Sequence, residues 1–177
     1  MSNTEKEYWH IIENCKNIFS KKGNDYGTSW RVLRPISLVD QIYIKCMRIR
    51  QLQQGNIAKI NEDAVGEWKA IVNYGIIACA QLDINNYDNN WDLNATEANA
   101  IYDKHIQIIF GLMQNKNHDY GEAWREMSQE SFVDLIITKL LRIRQIIAND
   151  GKTQISEGMD ANFHDIVNYA VFALILQ

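Results

Sequence analysis

No run in this chain is apolar enough to span a bilayer; the nearest candidate, Ile71 to Leu82, is interrupted by Asn73 and Gln81. The first fifteen residues carry Glu5, Glu7 and Glu13 and no apolar segment, which argues against a secretory signal. Cysteine is sparse. Cys15, Cys46 and Cys79 are an odd number, spaced about thirty residues apart without zinc-type pairing, so they read as small buried hydrophobes of a reducing compartment. Strand-like alternation bounded by turns is also missing. Charge bias is lacking too: the net charge is −4 with both signs interspersed, which disfavours an extended nucleic-acid surface but leaves room for a small anion in a local basic pocket. These absences leave a cytoplasmic, all-α protein of 177 residues, long enough to bury a core without disulfides.

What is present is a repeat. Asn24-Asp25-Tyr26-Gly27-Thr28-Ser29-Trp30-Arg31 lies over His118-Asp119-Tyr120-Gly121-Glu122-Ala123-Trp124-Arg125 at an offset of 94. The offset persists from Ser37, Asp40, Lys45, Arg48 and Arg50 to Ser131, Asp134, Lys139, Arg142 and Arg144. After one inserted residue it becomes 95, and Glu62 and Val72-Asn73-Tyr74 meet Glu157 and Val167-Asn168-Tyr169. A period this long is one duplication rather than a solenoid. It predicts two three-helix modules, 1–82 and 95–177, joined by an Asn- and Asp-rich linker over 83–94 and packed as one unit about a pseudo-two-fold axis. Neither half is expected to fold alone, and further oligomerisation is left open.

The first helices are expected over about Glu5–Phe19 and Ala98–Met113, followed by the Asp-Tyr-Gly turn. Ser37-x-x-Asp40 and Ser131-x-x-Asp134 read as capping boxes that begin the second helices, and Asn94-x-x-Glu97 as a cap for the helix after the linker. The third helices run about Asp63–Leu82 and Met159–Leu176.

Lys45 and Lys139 each sit in an otherwise apolar stripe of the second helix, with Arg48 and Arg142 at its edge. A lysine there needs a carboxylate, a bound anion or a route to water, so both are expected to point inward at third-helix acids. Glu157, Asp160 and Asp165 share one face of the last helix with His164 and Asn168, a chemistry suited to Mg²⁺, although a solvated acidic first turn would look the same. The first copy has Val65, Lys69 and Ala70 where the second has Asp160, His164 and Asp165, so any metal site is expected in the second module. The aromatics of the turn, Tyr26, Trp30, Tyr120 and Trp124, are core plugs or a stacking wall for a base, with Asp25 or Asp119 accepting a hydrogen bond.

The string Lys-x-x-Asp-Tyr-Gly-x-x-Trp-Arg, then Ser-x-x-Asp-x-Ile-x-x-Lys-x-x-Arg-Ile-Arg, then Glu…Asn-Tyr resembles the nucleotide-modification-associated domain 1 family in both halves. The resemblance implies a place near nucleotide metabolism or base modification. A remoter likeness is to the all-α nucleoside triphosphate pyrophosphatases of the MazG and dimeric dUTPase group. Glu157-x-x-Asp160 matches that group's second metal signature, while its first has no counterpart here.

The expected activity is handling of a nucleotide or nucleotide-like small molecule, as an Mg²⁺-dependent pyrophosphatase or as a binding or interaction module without turnover. In the enzyme reading Asp119, Lys139 and Arg142 are catalytic, and Glu157, Asp160 and Asp165 hold the metal. Tyr120, Trp124, Asn168, Asp25, Tyr26, Trp30, Lys45, Arg48 and Asn73 bind the substrate.

Overall fold

The computed structural model describes residues 1–55, 63–86 and 92–177. They form six α-helices and two short 3-10 helices, with no strand among the described residues. The helices are α1 (Asn3–Tyr26), α2 (Pro35–Gln53), α3 (Ala64–Ile84), α4 (Ala95–Tyr120), α5 (Gln129–Ala148) and α6 (Met159–Ile175). The 3-10 helices, Ser29–Val32 and Ala123–Glu126, follow α1 and α4. The chain is therefore all-α, as its pattern requires.

α3 and α6 are apolar around most of their circumference, so both belong at the centre, and they pack on each other. Gly75 permits the contact: a Cβ there would lie 2.5 Å from Cγ2 of Val167. α2 lies on α3, α5 on α6, and α2 against α5, while α1 and α4 each touch both central helices. Tyr8, Leu38, Ile42, Ile49, Trp68, Ile71, Ile106, Phe132, Phe163 and Ile166 are shut off from solvent in one continuous core. Burial of each aliphatic among them is worth about 1.5–3 kcal/mol. The three cysteines are free and buried in it, and burial pushes the thiols of Cys15 and Cys46 up to about 12.

Contacts between the halves come in reciprocal pairs. Arg50 Nη2 meets Asp134 Oδ1 at 2.6 Å, and Arg144 Nη2 meets Asp40 Oδ1 at 2.9 Å. Tyr8 Oη donates to Asn168 Oδ1 at 2.7 Å, and Tyr102 Oη to Asn73 Oδ1 at 2.8 Å. Within each half, the amide of Asn73 donates to the Cys15 carbonyl, and that of Asn168 to the carbonyl of Ile109, the counterpart of Cys15. Each first helix is thus pinned to the last helix of the other half.

The helix limits correct the sequence reading at two places. α1 and α4 run on through the Asp-Tyr pairs to Tyr26 and Tyr120, because the last two turns project beyond the core and lose the apolar period without losing the helix. Gly27 (φ 62°, ψ −143°) and Gly121 (φ 66°, ψ −159°) end them in a conformation open essentially to glycine alone. The expected capping boxes do not form. α2 starts at Pro35, whose missing N–H costs nothing at a first helical position, and α5 starts after Ser128, which caps the Ser131 N–H. Asp40 and Asp134 are free for the arginines of the opposite half. Asn94 does cap α4, accepting from the Glu97 N–H at 2.8 Å, and Asp63 caps α3. Glu62 and residues 87–91 of the expected linker lie outside the described residues.

Candidate functional site: two related cavities

Because α1 continues to Tyr26, Lys22 and Tyr26 are one helical turn apart and share a face. The Gly27 bend then brings Trp30 beside them, resting on Phe19 with ring centres 6.2 Å apart. Across from this wall α3 contributes Lys69, Ala70, Asn73 and Tyr74, and the cleft between them measures about 400 Å³. That volume is in the range of small-molecule sites. No Asp or Glu is among the residues that line it. Lys22 and Lys69 form no ion pair among the described residues. Two cations sharing an aromatic cleft with no counter-charge favour an anion.

The wall is braced from behind. Arg31 is buried; its guanidinium donates to Gln81 Oε1 and to the Asn86 carbonyl at 3.0 Å. Gln81 Nε2 in turn donates to the carbonyls of Trp30, Arg31 and Leu33 at 3.3, 2.7 and 2.8 Å. These bonds tie the carbonyls of the tight turn to α3 and fix the backbone that carries the indole.

The second module repeats the arrangement with Lys116, Tyr120, Gly121 and Trp124 facing Asn168 and Tyr169, yet its cavity is only about 160 Å³. Asp165, at the place of Ala70, takes Lys116 Nζ on Oδ1 at 2.5 Å and Lys139 Nζ on Oδ2 at 2.8 Å. Phe172, at the place of Ile77, lies parallel on Trp124, with centroids 4.2 Å apart and planes 5° from parallel. Burial opposes ionisation of Asp165, but the hydrogen bonds and charges of the two lysines outweigh it and hold its carboxyl below the ordinary value.

The inward lysines are where the stripe puts them: Lys139 on Asp165, and Lys45 Nζ at 3.4 Å from Oε2 of Glu67, a carboxylate only 5 % exposed. The other expected residues are not gathered as a catalytic set. Asp119 stands in solvent with His118 Nδ1 3.1 Å away, and Asp25 is exposed; neither lines the cavity of its module. Arg142 and Glu157 face a separate opening of about 660 Å³ beside Lys139, and Arg48 has no ion pair among the described residues. Asn73 and Asn168 already spend both ends of their amides on the reciprocal bonds, so they hold helices rather than wait for a substrate. Tyr26 and Tyr120 are 62 % and 79 % exposed and plug nothing, whereas Trp124 is buried.

The three carboxylates expected to bind metal point three ways. Glu157 turns to the opening beside Arg142, Asp160 to a cleft with His164, His105 and Asp83, and Asp165 to its lysines. Among the described residues no three His, Cys, Asp or Glu side chains converge on a metal position. The donor set does not fit Mg²⁺ held by this trio, since Glu157 lies before the N-cap Gly158 and off the helix that carries Asp160 and Asp165, and the lysines neutralise the one acid that is half-buried.

Lys22, Lys69 and Lys116 received no role from sequence alone. The signal was there, since Lys22 and Lys116 open the repeated Lys-x-x-Asp-Tyr-Gly string, but it has meaning only once the helix is known to reach the tyrosine. No helix among the described residues is long and apolar enough to cross a membrane. No curated protein and no solved structure matches the chain, so the likeness to the pyrophosphatases has no support from relatives. The family profile of nucleotide modification associated domain 1 matches twice, over residues 22–82 and 116–176, each match beginning at the cavity lysine. Two matched segments that cover most of the sequence, each containing the lysine, tyrosine and tryptophan of one cavity, place the chain in the nucleotide modification associated domain 1 family.

Proposed function

We propose that the chain binds a nucleotide, or a nucleotide-like anion bearing a planar ring, in the cavity of the first module. The ring lies against Trp30 with Tyr26 at the mouth, and the phosphate meets Lys22 and Lys69. The observation that carries this reading is the pairing of two cations that lack a carboxylate with an aromatic wall in one cleft of about 400 Å³. Stacking of a base on an aromatic side chain contributes about 1–3 kcal/mol. Hydrogen bonds from an ammonium to a phosphate oxygen add about 1.5–3 kcal/mol each. The family name is consistent with a nucleotide as the anion. No carboxylate trio among the described residues suits a metal, and the proposed role is ligand binding.

Calorimetric titration of the full chain with the common ribo- and deoxyribonucleoside mono-, di- and triphosphates tests it. Lys69→Met and Trp30→Ala should each weaken the tightest binder at least about tenfold, which is 1.4 kcal/mol. Lys152→Met, on the far opening of the second module, should leave it unchanged. Absence of binding across the panel, or affinity indifferent to Lys69 and Trp30, would overturn the reading.

A further inference from the structure

The cavity of the second module is occupied by the protein itself. Asp165 presents two oxygens between two ammonium groups, at 2.5 and 2.8 Å, which is how a phosphate would be held. Phe172 lies flat on Trp124 at 4.2 Å, as a stacked base would. Both come from α6, seven residues apart and so on one face, and the matching α3 positions carry Ala70 and Ile77, which supply neither a charge nor a plane. The cavity is accordingly less than half the size of its counterpart.

We infer that the second-module cavity is a latent copy of the first-module site, closed by Asp165 in the position of the ligand's anion and Phe172 in the position of its ring. The inference rests on the binding reading above for the nature of the ligand. It also sharpens that reading, since the internal occupant is a single anion plus a single aromatic ring, which points to a nucleoside monophosphate or a comparable aryl-bearing anion. A tethered occupant competes at an effective concentration no dilute ligand reaches, so the chain takes up one equivalent rather than two.

The test is to copy the first module into the second. Asp165→Ala and Phe172→Ile remove the occupant, and His164→Lys supplies the counterpart of Lys69. Asn162→Glu gives Lys139 the buried acid that Lys45 has in Glu67, since Asn162 and Glu67 correspond and are equally buried. All four new residues are ones the same fold already accommodates at the matching places. Calorimetry against nucleoside monophosphates should then show one more equivalent bound than the parent chain takes up, and the added site should be lost on Lys116→Met. A grafted chain that melts cooperatively but gains no equivalent overturns the inference. If the parent binds nothing and the graft binds one equivalent, the latent site stands while the first-module reading falls. Should the graft fail to fold, the reverse exchange decides: Ala70→Asp with Ile77→Phe should close the first cavity and cost at least about tenfold in affinity. Unchanged affinity in that folded variant overturns the inference as well.

Discussion

Tyr8, near the start of the chain, gives its hydroxyl hydrogen to Asn168, near the end, across 2.7 Å in a site closed to solvent. Burial also pushes the tyrosine's pKa far up, so the hydroxyl stays a donor at every working pH. Tyr8→Phe keeps the ring and strands the amide oxygen. It should cost about 1–3 kcal/mol, read as a lower denaturant midpoint at unchanged slope. Tyr102→Phe should cost less, because Asn73 is only half-buried and borders the open cavity, where water can replace the donor.

Residues 1–86 expressed alone should not give a cooperatively melting monomer. α1 would lose the partner of Tyr8, α3 would lose α6, and the Val167 face of Gly75 would be exposed. Circular dichroism with sedimentation checks this, and a monomeric cooperative unfolder would contradict it.

Gly75→Ala should destabilise the chain by about 1–3 kcal/mol, the usual cost of overpacking. The added methyl group would meet Val167 Cγ2 at 2.5 Å on a helix that has little freedom to move. Val167→Ala in the same chain should return part of the loss. A double-mutant cycle without coupling between the two positions would show that the close approach does not limit the α3–α6 packing.

Acidification should weaken the fold before any carboxylate titrates. Burial lowers the pKa of His105 below its ordinary 6.5, against the opposing pull of Asp83, with Lys104 and His164 also nearby. Burial lowers that of His164 too, against Asp160 and Asp165. The unfolded histidines take up protons near pH 6.5 and the folded ones resist, so stability is full above that value and drains as pH falls toward the folded pKa values. Melting temperature should therefore decline from pH 6.5 to about pH 5, a decline flattened by His105→Asn with His164→Asn. The contribution of Asp165, whose pKa is depressed, is full above the ordinary carboxylate value and is lost as pH falls from there toward its folded value, below this window. A flat profile between pH 7 and pH 5 would refute the assignment.

The sequence made the module legible and the site only half so. Helix count, the duplication and the inward aim of Lys45 and Lys139 follow from apolar period and offset, which are properties of the core. The end of α1 does not, since Lys21 to Tyr26 have no apolar stripe to betray that they are helical, and with the helix cut at Phe19 the lysine and tyrosine of the motif fall on no common face. Charge pattern misled for a related reason. Three acids on α6 look like a ligand set in one dimension, but whether an acid binds a metal or a lysine depends on the helices opposite, which sequence spacing does not supply. Asp165 reads as an asset of the second module until Lys116 and Lys139 are seen to consume it.

The reciprocal Arg50–Asp134 and Arg144–Asp40 pairs have a consequence for descent. A half-length ancestor carrying both residues would have paired with a second copy of itself by the same contacts, and in such a homodimer every substitution appears twice. An aspartate arising at the position of Asp165 would have shut both clefts at once. Joined in one chain, the halves mutate separately, so Asp165 can close one cleft while Ala70 leaves the other open. Fusion thus does more than hold two copies together; it lets the two clefts differ, as those of a homodimer of half-length chains could not.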